Sequence, residues 1–235
     1  MVKYIRDDFH GFPERPHYEP KELEMQFERL VIDFLRTKYG KVEFPFKTDD
    51  ITLLIERDVL DLDQYADLTP YGDDVEGMTQ FKRDAKPDVF ISKNVHRHEN
   101  RLRTTLAHEY GHVILHSYLF KLGQRRLRLG LNQSASAIYC KRGTMLGAKK
   151  VDWMEWQAGF ASGVVLMPKT YVHTVVAPIR QRLGVFGAAE QGTDAGHLMI
   201  RAVMNSFMVS REAAIVRLKV LNMLGSMPEQ RSLFS

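Results

Sequence analysis

The segment TTLAHEYGHVILH, Thr104 to His116, places three histidines and a glutamate inside an apolar run. On a helix, residues four apart lie one turn apart along the axis and about 40° apart around it, so His108 and His112 can aim their imidazoles at one ion. Glu109 is then held beside the ion without ligating it, where it can take a proton from an attacking water and pass it to a leaving amine. This is the chemistry of a metal-dependent hydrolase. Leu106, Tyr110 and Val113 form the opposite, core-facing stripe, so the histidines belong to the inner edge of a buried helix. Gly111 costs about 1 kcal/mol of helix propensity relative to alanine, which is tolerable where another backbone must come close. The competing reading is an amphipathic helix with incidental histidines.

A catalytic zinc ion takes three protein ligands and keeps one open position, so a third ligand is required. His116 is roughly 12 Å along the axis from His108, too far to share the ion, and is expected to stand behind the site or in the core. The metzincin spacing needs a histidine six residues beyond His112, and Tyr118 occupies that place. A carboxylate from the next helix is the better candidate. In WMEWQAGFASGVVLMP, Glu155 is the one charged side chain between Trp153 and Pro168, and a lone acid in such a helix is costly unless paired or metal-bound. Its alternative role is to meet a basic partner.

Several elements must position these residues. PKELEMQFERLVIDFLRTKYG reads as a helix over 20–40, with Leu23, Phe27, Leu30, Val31 and Leu35 on its buried face, a proline at its start and a glycine at its end. KVEFPF favours a strand at a sheet edge or end because of Pro45. TDDITLLIERD offers Thr48 as a helix cap ahead of Asp49 and Asp50. The acidic stretch DVLDLDQYADLTPYGDDVEG reads as a surface connection with turns at Thr69-Pro70 and Tyr71-Gly72. GMTQFK and DVFIS flank RDAKP as two short strands joined by a tight turn. The histidine helix is expected over Glu99–Phe120. The second apolar helix should run from about Asp152 to Leu166, because Pro168 disfavours helical geometry just before it. From Lys169 the pattern is helical and closes in VSREAAIVRLKVLNML, with Ser210 as a cap.

A chain of 235 residues with 44% hydrophobic content can bury a full core. Its single cysteine, Cys140, excludes an internal disulfide and a zinc site built from several thiolates. No apolar run approaches the roughly 18 residues of a membrane helix, and MVKYIRDDFHGFPERPHYEP carries charges where a secretory signal is apolar, so the cytoplasm is the expected location. The net charge is +4, but residues 1–80 hold 19 acidic against 10 basic side chains, leaving the remainder basic. The bias peaks in 121–150, which contains eight lysines and arginines and no acid. Such a run is either a solvated loop or a guide for an acidic partner or nucleic acid.

HEYGHVILH followed by EWQAGFASGVVLMP resembles the ImmA/IrrE family of metallo-endopeptidases, over roughly 99–168, and FMVSREAAIVRLKVL resembles that family's closing helical element. The resemblance implies one zinc ion on His108, His112 and Glu155, with Glu109 as general base. It also implies an α+β, zincin-like fold, mostly helical with a small three-stranded sheet whose edge strand holds an extended substrate. On that basis 1–19 is an amino-terminal extension and 20–176 a zincin-like metallopeptidase domain interrupted by the basic insertion at 121–150. A helical module follows over 177–226, and 227–235 is a tail. The implied substrate is a regulatory protein, a helix-turn-helix repressor of a mobile element or stress regulon. The transition-state oxyanion needs a stabiliser besides the ion; His173, Tyr171 and His197 follow the second helix, and His173 is put forward among them. Cys140, inside the insertion, is a candidate latch on the open zinc position. Two alternatives stand beside the peptidase: a DNA-binding regulator using VSREAAIVRLKVL as a recognition helix, and an antirepressor that sequesters its partner without cutting.

Overall fold

The computed structural model describes residues 3–7, 9, 10, 12–82, 85–127, 137–141 and 152–225, with the backbone alone described at 121–127 and 137–141. The chain divides into two units, Met1–Pro168 and Lys169–Ser235.

The first unit begins with an antiparallel hairpin, β1 (Lys3–Arg6) and β2 (Glu14–His17). Helix α1 (Pro20–Tyr39) buries Leu23, Phe27, Val31 and Leu35 at four-residue spacing, with Leu30 half-buried at the margin of the stripe. Its amino end is closed by the Glu22 side chain accepting from the Glu19 amide at 2.9 Å. Gly40, at φ 69°, ends it in the left-handed region. KVEFPF forms no strand. Pro45 has no N–H to give a ladder, Phe46 is buried, and the Phe46 carbonyl accepts from the buried Arg103 guanidinium. Helix α2 (Thr48–Glu56) follows with Lys47, not Thr48, at the cap position; Thr48 is the first helical residue and its hydroxyl donates to Glu99 at 3.0 Å.

The acidic stretch after α2 contains a strand, β3 (Asp61–Ala66), where a surface connection was expected. Asp61, Asp63 and Tyr65 point outward while Ala66 is buried, so the acids occupy the solvent face of an alternating segment. β4 (Val75–Gln80) and β5 (Asp88–Ser92) pair antiparallel, as their flanking of RDAKP predicts, and β3 pairs parallel to β5. To these three strands a fourth is added: β6 (Ala137–Lys141), from the basic segment, pairs antiparallel with the other side of β4. β4 and β5 are therefore interior strands, and an extended chain reaching the outer side of β4 must displace β6.

Helix α3 (Glu99–Leu127) is buried from Leu102 through Val113, and α4 (Trp153–Leu166) packs on it. The expected close approach occurs at Gly111. A Cβ there would lie 2.9 Å from Ala158 Cα and 3.2 Å from Ala161 Cβ, so only glycine lets the two helices come this near. The Ser162 hydroxyl donates to the Thr104 carbonyl at 3.2 Å and fixes the same pair farther along.

The second unit comprises α5 (Lys169–Arg182), β7 (Ala189–Glu190), α6 (Asp194–Phe207), α7 (Arg211–Val220) and β8 (Leu224–Gly225). Ser210 caps α7, as expected, by accepting from Ala213 N at 3.1 Å. The two-residue strands β7 and β8 pair parallel, a feature too short for the sequence to betray. Among the described residues no helix is long and apolar enough to cross a membrane.

Candidate metal centre

α3 brings His108 and His112 to one face a turn apart, both fully buried. Asp152 caps α4 by accepting from Glu155 N at 3.3 Å, which sets Glu155 in the first turn of that helix. The Nε2 atoms of His108 and His112 are 3.1 Å apart. Glu155 Oε2 lies 3.3 Å from His108 Nε2, and Glu155 Oε1 lies 3.0 Å from His112 Nε2. Ligands at about 2.0–2.2 Å around a tetrahedral ion are separated by about 3.3 Å; the two imidazole nitrogens meet that spacing and the carboxylate presents an oxygen to each of them, so the donor set suits one zinc ion. Among the described residues they form the group of histidine and acid side chains able to hold a metal. Burial works to raise the Glu155 carboxyl, but hydrogen bonds from His108 and His112 outweigh it and hold the group well below the usual carboxylate range. The same carboxylate draws His112 upward against its own burial.

Glu109 is fully buried beside the triad. The Thr79 hydroxyl on β4 donates to Glu109 Oε2 at 2.6 Å, whereas Oε1 has no hydrogen-bond partner among the described residues. Gly77, two residues earlier on the same face of β4, lies against that carboxylate: a Cβ there would come within 2.3 Å of Oε1. Burial raises the Glu109 carboxyl, with His112, His108 and Thr79 pulling the other way, and the net shift is upward. That direction suits a base that takes a proton and returns it near neutral pH. Thr79 and Gly77 were not legible as site residues, because nothing in GMTQFK marks one strand as lying over the histidine helix. Gly77→Ala is expected to retain fold and metal affinity, since the obstructed atom is the movable end of a side chain. Displacing the base should still lower kcat by at least ~10²-fold, measurable by single-turnover cleavage beside zinc titration.

His116 stands behind the triad, its Nδ1 3.0 Å from His112 Nδ1. Burial and then the neighbouring His112 hold it well below its ordinary pKa, so it is neutral. His173 on α5 and His197 on α6 are exposed, and Tyr171 is half-buried; all three belong to the second unit. β6 carries Cys140 opposite Gly77 in the ladder, while its side chain and the insertion residues 128–136 and 142–150 lie outside what the structure describes.

A helix-borne HExxH segment, a carboxylate on the next helix and a small sheet across them define a zincin-like metallopeptidase domain. The chain matches the family model of Peptidase M78, the IrrE N-terminal-like domain, over residues 64–219, and it belongs to that family. No curated protein matches it closely enough to count as a relative. The match takes in β4, α3, α4 and α7 and leaves the amino-terminal hairpin, α1 and α2 outside it.

Proposed function

We propose that the protein is a zinc-dependent endopeptidase in which His108, His112 and Glu155 hold one zinc ion and Glu109 is the general base. The observation that supports it most is the convergence of two buried imidazole nitrogens and the buried Glu155 carboxylate, with one ligand atom of each within 4.8 Å of the others, beside the buried Glu109 carboxylate with one oxygen unengaged. A zinc ion held there supplies Lewis acidity, lowering the pKa of water to about 7 and polarising the scissile carbonyl. Glu109, anchored at Oε2 by Thr79, accepts the proton of the attacking water at Oε1 and delivers it to the leaving amine. The dry surroundings of α3 strengthen each of these interactions.

The proposed substrate is a regulatory protein of the helix-turn-helix repressor type, which places the reaction in the cytoplasm; the resemblance to ImmA/IrrE peptidases supports it. Direct nucleic-acid binding is disfavoured, because on α7 Glu212 opposes the phosphate backbone and Arg217 is buried. The test is incubation of the zinc-loaded protein with helix-turn-helix repressors encoded near its gene, with fragments mapped by mass spectrometry. One discrete cut, abolished by a chelator and restored by zinc, supports the reading. A stable complex that is never cut favours sequestration.

A further inference from the structure

We infer that the amino-terminal hairpin, through the Pro16 carbonyl, Gln157 and His116, forms a directional hydrogen-bond relay that orients His112 and tightens its hold on the metal. The inference rests on the zinc reading above and concerns residues on both sides of the boundary of the family match.

The direction is forced from the metal end. A His112 imidazole that ligates through Nε2 carries its proton on Nδ1. That proton faces His116 Nδ1 at 3.0 Å, which must accept it. His116 therefore carries its proton on Nε2 and donates to Gln157 Oε1 at 3.1 Å. The amide nitrogen of Gln157 is left facing the Pro16 carbonyl on β2, at a long 3.5 Å. Reversing the amide would set two donors against each other at His116, so the four groups admit one arrangement. His112, His116 and Gln157 are each at most 1% exposed, and the interior offers little opening for water to replace any link.

The hairpin is fastened to α4 by more than Pro16. Asp7, just after β1, accepts from the Phe9, His10 and Phe12 amides and from the Trp153 indole at 2.9–3.1 Å. His10 Nε2 lies 3.0 Å from Asp152, the residue that caps α4 at Glu155. Trp153 in turn sets its ring edge-on to His116 at 5.6 Å. The hairpin thus bears on both helices of the metal centre, and Gln157 and His116 are positioning residues. His108 has no such support, since its Nδ1 lacks a hydrogen-bond partner among the described residues.

The test is zinc affinity of the full chain, measured by competition with a chromophoric chelator, for wild type, Gln157→Met, His116→Phe and Asp7→Ala. Gln157→Met and His116→Phe should bind zinc ~10–100-fold more weakly, with the circular dichroism and melting of the metal-free proteins close to wild type. Asp7→Ala should weaken binding less, and its effect should be smaller in the Gln157→Met background than in the wild type, because a relay makes the two non-additive. Long-range proton–nitrogen correlation of the zinc-loaded wild type reads the tautomers even where a variant fails to fold: Nδ1–H on His112 and Nε2–H on His116. Unchanged affinity in folded variants, additive effects, or a proton on His116 Nδ1 would overturn the relay. A wild type that binds no zinc sinks the parent reading instead, and the two failures are told apart by that first titration.

Discussion

Glu109→Gln is expected to fold, to bind one zinc ion as tightly as the parent, and to cut its substrate ~10²–10⁴-fold more slowly, the range a positioned general base contributes. Glutamine keeps the volume and can still accept from the Thr79 hydroxyl, so the contact at 2.6 Å and the packing against Gly77 survive. What disappears is the capacity of the second oxygen to take a proton. The measurement is single-turnover cleavage run beside metal analysis of the same sample. A variant that loses both zinc and turnover would show that Glu109 supports the metal and is not simply a base next to it.

Glu155→Ala should produce the complementary failure. Removing the third ligand leaves two imidazoles, and zinc affinity should fall by more than ~10²-fold, beyond what losing a supporting residue costs. Because a ligand that binds only the folded chain stabilises it by about 2.7 kcal/mol at a hundred times its Kd, zinc should raise the melting temperature of the wild type and leave that of Glu155→Ala unmoved. Thermal melts with and without added zinc, followed by circular dichroism, read this directly. Equal stabilisation of both proteins would take Glu155 out of the metal shell and leave it as the buried partner of His112, 3.0 Å away.

The metal helix was legible because its signal is local. Two histidines four apart, a glutamate beside the first and a glycine where α4 presses closest all lie within five residues of α3. Glu155 was legible for a different reason: a lone acid in WMEWQAGFASGVVLMP is anomalous against its own surroundings. The hairpin of β4 and β5, the end of α4 ahead of Pro168 and the Ser210 cap likewise rest on short-range turn and cap chemistry. What was misread depends on partners far along the chain. KVEFPF has strand-forming residues, but Arg103 takes the Phe46 carbonyl. β3 was hidden because the acids of its solvent face dominate its composition, and only pairing with β5 makes it a strand. Thr79, Gly77 and Gln157 are ordinary residues whose roles come from what the tertiary fold sets opposite them. The hairpin at the amino end reads as an appendage in one dimension, yet Phe12 packs with Phe81, Phe120 and Trp153 in a shared core cluster.

The most direct test of the central claim is zinc-edge X-ray absorption on the protein loaded with one equivalent of zinc. The account predicts a shell of nitrogen and oxygen at about 2.0–2.2 Å, with the outer scattering of two imidazoles, and loss of that ordered shell in Glu155→Ala. A spectrum without two imidazoles, or an ordered shell that persists in Glu155→Ala, would contradict it.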